Sequence, residues 1–172
     1  PATISVFHKR RNGEQHWQGK LYGDGISATF TQTAILIGNE IRLSYELRSE
    51  TDIIMETLML RCYLPTDANA GNARWVAVTE DGLDVLSGIF PATLPERYHL
   101  LSRTDLAWLM WILPSGWALL FDWQGDGIIG ANLQDDRKFG MKAFELQLYL
   151  KGGGLRAGEM VKAQLQLHVM TV

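Results

Sequence analysis

The sequence predicts an all-β fold, an antiparallel β-sandwich of the immunoglobulin-like or jelly-roll-like kind, formed as a single domain by residues 1–172. Alternating apolar and polar residues mark about eleven or twelve short segments, at a spacing of roughly ten residues. Glycine-rich turns separate most of these segments, and no internal repeat or linker divides the chain. Many short strands joined by such turns are typical of two packed β-sheets.

The composition is that of an ordinary globular protein. The chain has 172 residues, 47% of them hydrophobic and 20% charged, with a net charge of −3. A slightly negative chain does not attract nucleic acid, so we expect no nucleic-acid partner. No apolar run has the length of a membrane helix, so we expect no membrane insertion. Cys62 is the only cysteine, which excludes a disulfide within the chain and fits a reducing compartment slightly better than an oxidising one.

The first third of the chain predicts a series of strands. Residues 2–9 alternate, and Asn12-Gly13 is a strong type I′ turn signal because both residues tolerate positive φ angles. Residues 15–22 form the returning strand, and Gly23-Asp24-Gly25 marks the next turn. Further strands are predicted at residues 26–31, 33–37 and 40–48.

The middle of the chain contains one ambiguous segment. Residues 52–64 fit a strand, which the β-rich surroundings favour, but the spacing of Ile54, Leu58 and Arg61 would equally suit a helix. Shorter strands are predicted at residues 74–79 and 85–90, around the hairpin signal Asp81-Gly82. The content of proline, glycine, asparagine and aspartate predicts loops at residues 65–72 and 91–97.

Residues 105–113 are apolar on both faces, turn at Pro114-Ser115-Gly116 and return as residues 117–123. This pattern predicts a hairpin that is central to the sandwich or covered on both faces, with a short helix at residues 105–113 as the alternative. We expect three rings from these segments in the core, those of Trp108, Trp111 and Trp117.

The last thirty residues show the clearest alternation. In residues 142–151 and again in residues 161–169, every second residue is apolar, and the segment between them is rich in glycine. Two runs of period two that flank such a turn predict a β-hairpin, because a pleated strand sends alternate side chains to opposite faces. One more strand is predicted at residues 128–133, before a polar loop at residues 135–140.

The same C-terminal stretch resembles the end of chaperone–usher fimbrial subunits and adhesins. It has a strand, a short turn, Ala157-Gly158 and a final alternating strand, with Gly158 fifteenth from the end. In that family a glycine about fourteen residues from the end opens the final strand. Thr171 stands where the family usually has a tyrosine, and the family's usual disulfide is impossible with Cys62 alone.

The resemblance implies a function and a set of partners. The chain would be a fimbrial (pilus) subunit or tip adhesin domain that attaches to a carbohydrate or another host-surface ligand. Its partners would be other pilus subunits and a periplasmic chaperone. It would lie at the cell surface, in the fimbrium, whereas without the resemblance a cytoplasmic location is expected.

The resemblance also implies a mode of assembly. In that family a subunit lacks one strand, and a neighbour's extended N-terminal segment fills the groove beside the final strand. By analogy residues 160–172 border the groove. Residues 2–9, with Ile4 and Val6 spaced for alternate pockets, are then either a donor strand or an ordinary first strand.

No motif in the sequence points to catalysis. There is no nucleophile elbow, phosphate-binding loop, dinucleotide fingerprint or zinc-spaced set of Cys and His. His8 and His16 would meet across the first hairpin, but a solvated pair is favoured over a metal site. We therefore expect no enzyme activity, no metal and no cofactor. The alternative to a fimbrial protein is a non-fimbrial glycan-binding or viral or phage structural β-sandwich.

The ligand site is predicted from tryptophans beside polar turns. Trp75 follows a loop that contains Asn and Gly, and Trp123 precedes a polar turn. A ring beside amide and carboxyl groups is a usual surface for stacking a sugar and hydrogen-bonding its hydroxyls; the alternative is that both rings fill the ends of the sandwich. The predicted ligand-binding residues, placed at one end of the sandwich, are Trp123, Gln124, Asp126, Asn72, Arg74 and Trp75. Among these, Arg74 would meet a carboxylate or sulfate.

Overall fold

The computed structural model describes residues 3–11, 13–123 and 127–172 of the chain. A 3-10 helix (Asp136–Phe139) stands between the eleventh and twelfth strands. The strands are β1 (Thr3–Arg11), β2 (Glu14–Gly23), β3 (Ile26–Ile37), β4 (Glu40–Ser49), β5 (Thr57–Pro65), β6 (Arg74–Thr79), β7 (Val85–Ile89), β8 (His99–Arg103), β9 (Leu106–Ile112), β10 (Trp117–Asp122), β11 (Gly130–Asp135), β12 (Ala143–Gly152) and β13 (Met160–Thr171). No helix in the described ranges is long and apolar enough to cross a membrane.

The strands form two sheets. Nine lie in the order β1-β2-β3-β4-β13-β10-β9-β6-β7, and four in the order β5-β12-β11-β8. Neighbouring strands pair antiparallel. Leu146 and Leu148 on β12 are buried in one core with Leu165 on β13, because the alternating apolar residues of the two sheets face each other. The antiparallel β-sandwich predicted from the sequence is confirmed.

Several predicted turns and strands are also confirmed. Asp24 and Gly25 have φ angles of +50° and +79°, as a type I′ turn between β2 and β3 requires. The apolar segment at residues 105–113 contains strand β9 rather than a helix, and it pairs with β10 across Pro114-Ser115-Gly116. In the ambiguous segment, β5 begins only at Thr57.

Of the three rings expected in the core, only that of Trp111 is fully buried. Trp108 is half-buried, because the alternation of β9 sends it to the outer face of the nine-stranded sheet. Trp117, at the start of β10, is 47% exposed. The prediction for these two rings was wrong because an apolar run does not reveal whether both faces of its sheet are covered.

The predicted C-terminal hairpin was wrong. Both strands exist, but β12 lies between β5 and β11 in the four-stranded sheet, whereas β13 lies between β4 and β10 in the other sheet. The connection between them therefore crosses from one sheet to the other. The period-two pattern reveals which residues share a face, but it contains no information about which strand is the hydrogen-bonded neighbour.

The groove expected beside the final strand is also absent among the described residues. β13 is hydrogen-bonded on both edges, to β4 through Met160–His168 and to β10 through Gln166–Thr171. β1 pairs with β2 of the same chain, so it is an ordinary first strand at the edge of the sheet. Each edge of β13 is thus occupied along part of its length by a strand of the same chain, which leaves no strand-long groove for a donor and removes the structural basis of fimbrial assembly.

A buried ion pair closes one end of the core. The fully buried Asp135 carboxylate accepts hydrogen bonds from Arg137 Nε at 2.8 Å and Nη2 at 2.6 Å. Arg137 also donates to the backbone oxygens of Pro91 and Ala92, each at 2.8 Å. Its guanidinium carbon lies 5.2 Å from the centre of the Phe144 ring. These contacts tie the loop at residues 91–92 to the end of the four-stranded sheet.

Candidate functional site

The two tryptophans predicted to stack on a sugar lie in the core. Trp75 is 7% exposed and Trp123 is 3% exposed, and both pack among the buried residues between the sheets. The Trp75 ring also covers Gly88 so closely that a Cβ atom there would lie 2.7 Å from it. Neither ring has a free face on which a sugar could stack, in agreement with the alternative that they fill the sandwich.

The register places the two predicted turns at opposite ends of their strands. Arg74, near the first turn, pairs with Ile112, which pairs with Ala118 at the start of β10. Trp123 follows the other end of β10. Asn72 and Arg74 are exposed, so a role in binding stays a prediction for them, but the structure does not bring them together with Trp123. Gln124 and Asp126 lie outside the described residues.

A different polar surface stands out on the four-stranded sheet. Its strands send apolar residues such as Leu146 and Leu133 into the core, and the residues between them therefore point to the opposite side. Most of those residues are polar or aromatic, with exceptions such as Met59 and Gly130, which pair with Tyr149. We call this surface the polar face; with Asp136 from the 3-10 helix, it consists of Arg61, Tyr63, His99, Ser102, Asn132, Gln134, Asp136, Glu145, Gln147 and Tyr149.

The register arranges the polar face in rows. One row crosses the four strands as Tyr63, Glu145, Gln134 and His99. The next row consists of Arg61, Gln147, Asn132 and Ser102. Because neighbouring strands lie about 4.8 Å apart, each row spans about 14 Å. The surface therefore presents a dense two-dimensional array of hydrogen-bonding groups.

Amide side chains form a directed hydrogen-bond network at the centre of the polar face. Asn132 Nδ2 donates to Gln134 Oε1 at 3.0 Å and to Gln147 Oε1 at 2.9 Å. Since both amide hydrogens of Asn132 are used, its Oδ1 is the acceptor for His99 Nδ1, 3.1 Å away, which must carry the hydrogen. Tyr149 OH donates to Gln147 Oε1 at 3.2 Å. In the tautomer that this contact selects, the lone pair of the imidazole lies on Nε2.

The network leads to two buried carboxyl groups. Gln134 Nε2 donates to Asp136 Oδ1 at 2.7 Å and to Glu145 Oε2 at 2.9 Å, so one amide nitrogen bridges them. Gln147 Nε2 also donates to Glu145 Oε2, at 2.9 Å, and Arg61 Nε donates to Glu145 Oε1. Within the part of the chain that the structure describes, no group of three His, Cys, Asp or Glu residues is placed to hold a metal ion.

The surroundings drive the pKa values of the two carboxyl groups apart. Burial raises the pKa of Asp136, and the charge of Glu145 adds to this effect. Burial acts in the same direction on Glu145, but hydrogen bonds from Arg61 and Gln147 and with Asp136 outweigh it and lower the pKa of Glu145. The pair therefore holds its first proton on Asp136. Two buried carboxyl groups with opposite pKa shifts are typical of functional sites.

Replacing Asp136 by asparagine is expected to stabilise the protein at pH 7. The asparagine oxygen can still accept from Gln134, and the like charge beside Glu145 disappears. When the pKa of a carboxyl group is higher in the folded protein than in the unfolded chain, the folded protein loses stability as the pH rises from the lower value through the higher one. The asparagine variant has no such carboxyl group and therefore does not lose this stability. Urea unfolding from pH 3 to pH 7 should show the difference growing with pH. A variant that is less stable at pH 7 would contradict the assignment of the proton to Asp136.

The accessible groups of the polar face form a rim around this buried centre. The side chain of Arg61 is 48% exposed, and Tyr63 is 42% exposed. His99, Gln147 and Tyr149 are half-buried. A ligand would therefore meet the rim first, while the buried amides and carboxyl groups hold the rim in place.

An open depression adjoins the far end of the polar face. It has a volume of about 370 Å³ and is lined by Ser102, Arg103, Thr104, Asp105 and Tyr149. Gly130 pairs with Tyr149 and lies so close to two residues of the depression that a Cβ atom there would stand 3.1 Å from Arg103 O and 3.3 Å from Thr104 Cα. The depression extends the surface that a ligand can reach beyond the two polar rows.

The polar face has a signal in the sequence, but no single strand reveals it. Glu145, Gln147 and Tyr149 alternate with buried leucines, and Asn132 and Gln134 flank the buried Leu133 on the preceding strand. Alternation alone assigns them to a solvated side. Only the pairing of β11 with β12 places their amides and carboxyl groups within hydrogen-bond distance of one another.

Comparison with protein-family models and with curated proteins finds no match. Solved structures with the same fold include the Escherichia coli K12 protein named "putative aldose 1-epimerase", with a TM-score of 0.68 and 12% identity over 98% of this chain and 69% of that one. A galactose mutarotase-like protein from Lactobacillus casei ATCC 334 gives a TM-score of 0.67 and 10% identity over 97% and 73%. For a GH36 α-galactosidase from Geobacillus stearothermophilus the values are 0.60 and 9% over 99% and 27%.

These neighbours correct the expectations that the fimbrial resemblance produced. They are named as an aldose 1-epimerase, a galactose mutarotase-like protein and an α-galactosidase and not as fimbrial subunits, so the resemblance, the pilus function and the pilus-subunit and chaperone partners are contradicted. The expectation of no enzyme activity is contradicted as well, because proteins named for sugar chemistry share the fold. The chain spans about two thirds of the length of these proteins and about a quarter of the galactosidase. At sequence identities this low, the likeness shows a common fold.

Proposed function

We propose that the chain binds a carbohydrate on the polar face of its four-stranded sheet. The observation that carries this proposal is the ordered array of amide, carboxyl, hydroxyl and aromatic groups across β5, β12, β11 and β8. A sugar presents many hydroxyl groups that both donate and accept, and an array of fixed polar groups beside aromatic rings matches this chemistry. The shared fold with proteins named for acting on aldoses and galactose supports the same ligand class.

The buried part of the network supports binding by holding the rim rigid. Asn132 and Gln134 use all of their amide hydrogens within the network, so their orientations are fixed before a ligand arrives. Groups that are already ordered lose little conformational entropy when a ligand binds. Preorganisation of this kind is the role we assign to the residues that a sugar cannot itself touch.

Acid–base chemistry at the anomeric carbon is the second candidate function. It is favoured by His99, whose Nδ1–H is fixed on Asn132 Oδ1 so that Nε2 is free to accept a proton. Interconversion of anomers requires a proton to leave the anomeric hydroxyl while the ring oxygen receives one, and to return after rotation. His99 at the rim would accept the anomeric proton, and water at this open surface would give the ring oxygen its proton and take it back on closure. The hydrogen-bonded chain to the carboxyl pair would stabilise the resulting imidazolium.

Tyr63→Ala is expected to weaken carbohydrate binding by roughly a factor of 10, about 1.4 kcal/mol, because an exposed ring offers stacking area to the ligand. The ligand would first be identified on a glycan array and then titrated by calorimetry. Tyr22→Ala is the matched control, since Tyr22 is 45% exposed but belongs to β2 of the other sheet. Equal affinity of both variants and the wild type would reject the polar face as the site.

A further inference from the structure

On the polar face, most hydrogen-bond acceptors already have partners within the protein, whereas some donors do not. Every amide oxygen of the network accepts an internal hydrogen bond, and both oxygens of Glu145 do so as well. Each acceptor at the centre of the face therefore already has at least one internal donor, and all of these acceptors belong to buried or half-buried side chains. The strongest groups left for a ligand are donors, and they belong to one side chain, that of Arg61.

Arg61 holds a guanidinium whose outer edge is free. Its Nε is hydrogen-bonded to the fully buried Glu145, which fixes the near edge of the group. Its two terminal nitrogens make no hydrogen bond to any residue in the described ranges, although the side chain is only 48% exposed. The guanidinium carbon lies 5.5 Å from the centre of the Tyr63 ring. A planar fork held at its inner edge keeps the N–H donors of both terminal nitrogens, and one from each points outward in parallel.

Two other arginines near this surface, Arg103 and Arg137, already have carboxylate partners. Arg103 donates to both oxygens of Asp105, from Nε at 2.7 Å and from Nη2 at 2.5 Å. Its charge is matched by a carboxylate that shares the same exposed position. Glu145, the ion-pair partner of Arg61, has in contrast no exposed surface, so the group that a ligand can touch at this point of the polar face is the guanidinium and not the carboxylate.

We infer that the polar face selects a sugar that carries an oxyanion, bound by the outer edge of the Arg61 guanidinium. A carboxylate, a sulfate or a phosphate accepts two parallel N–H bonds from such a fork, whereas a neutral hydroxyl accepts one. Tyr63 would contact the sugar ring next to the bound anion. This inference rests on the proposed function and specifies its ligand class.

The test compares neutral and anionic forms of the same sugar. The full chain would be titrated with galactose, galacturonate, galactose 6-sulfate and galactose 6-phosphate, and with glucose and glucuronate. Comparison of the carboxylate, sulfate and phosphate forms would show which of the three anionic groups the site prefers. At least one anionic form is expected to bind the wild type about tenfold more tightly than its neutral parent. Raising the salt concentration should reduce this preference, because the interaction is between charges.

Variants at Arg61 then locate the preference. Arg61→Gln should bind neutral and anionic forms equally, and Arg61→Lys, which keeps a positive charge over Glu145 but not the fork, should retain less than half of the preference. Arg48→Gln is the control, since Arg48 is an exposed arginine on the other sheet, and it should behave as the wild type. If Arg61→Gln fails to fold, the lysine variant and the salt dependence of the wild type decide the question.

The outcomes separate the two proposals. Equal affinity of the wild type for neutral and anionic sugars, or a preference that survives in both Arg61 variants, would overturn the inference while leaving carbohydrate binding in place. A preference lost in a further variant, Arg74→Gln, would move the anion site to the residue predicted from the sequence. Binding of none of the sugars, at concentrations where the chain is folded, would count against the proposed function itself.

Discussion

Trp123→Ala is expected to lower the free energy of unfolding by about 3–5 kcal/mol, the usual cost of truncating a core tryptophan. The ring is 3% exposed and packs in the main core between the sheets. Its removal leaves a cavity that neighbouring strands, fixed by their hydrogen bonds, cannot close. Denaturant unfolding followed by circular dichroism measures the change, and carbohydrate affinity of the folded fraction should stay unchanged because the ring lies away from the polar face.

Trp117→Ala provides the matched control for this experiment. Trp117 begins the same strand, β10, but is 47% exposed, so its truncation should cost less than about 1 kcal/mol. If Trp123→Ala remained as stable as Trp117→Ala and lost carbohydrate binding, the ring would be a sugar platform as the sequence predicts. If both variants lost several kcal/mol of unfolding free energy, the exposure of the ring would not be what determines the cost of removing it.

Arg137→Ala is expected to destabilise the fold by about 3–5 kcal/mol, because it leaves the fully buried Asp135 carboxylate without its bidentate partner. The variant also loses the hydrogen bonds to the backbone of Pro91 and Ala92. For a chain of this length the thermal midpoint should fall by roughly 10 °C. Calorimetry at pH 7 measures it.

Two further variants show whether the buried charge causes the loss. Arg48→Ala, at an exposed position on β4, should change the midpoint by no more than a degree or two. The double variant Asp135→Asn with Arg137→Ala should recover part of the stability, since it removes the uncompensated charge. A double variant as unstable as Arg137→Ala alone would assign the loss to the guanidinium contacts with the loop at residues 91–92.

Strands and turns could be predicted from the sequence because they depend on local chemistry. The strict alternation of residues 40–48 can bury one face only as a strand, and it appears as β4. The hairpin of β9 and β10 follows from two apolar runs separated by Pro114-Ser115-Gly116. In each case the information lies within about ten residues of the element concerned.

Strand partners could not be predicted in the same way. β12 and β13 each alternate as expected, yet they belong to different sheets. The choice between a hairpin and a crossing depends on which apolar faces elsewhere in the chain need cover, such as those of β4 and β10 beside β13. The fimbrial resemblance rested on that same hairpin, and therefore it failed when the hairpin did.

The candidate site was missed for a related physical reason. Trp75 and Trp123 were predicted to bind a sugar because they stand beside polar turns, but the large apolar area of each ring is buried in the core. Asn132 and Glu145 read as ordinary outward residues of separate strands. Their connection through Gln134 exists only after β11 pairs with β12, which is a contact that no local pattern predicts.

The measurement that tests the account most directly is an NMR titration of the 15N-labelled chain with the sugar that binds best. If the polar face is the carbohydrate site, the largest amide shift changes should cluster on β5, β12 and β11, around Arg61, Gln147 and Asn132. Residues 72–75 should change little, because they lie on the other sheet. Shift changes confined to residues 72–75 and to the neighbourhood of Trp123, with β12 unaffected, would contradict the account.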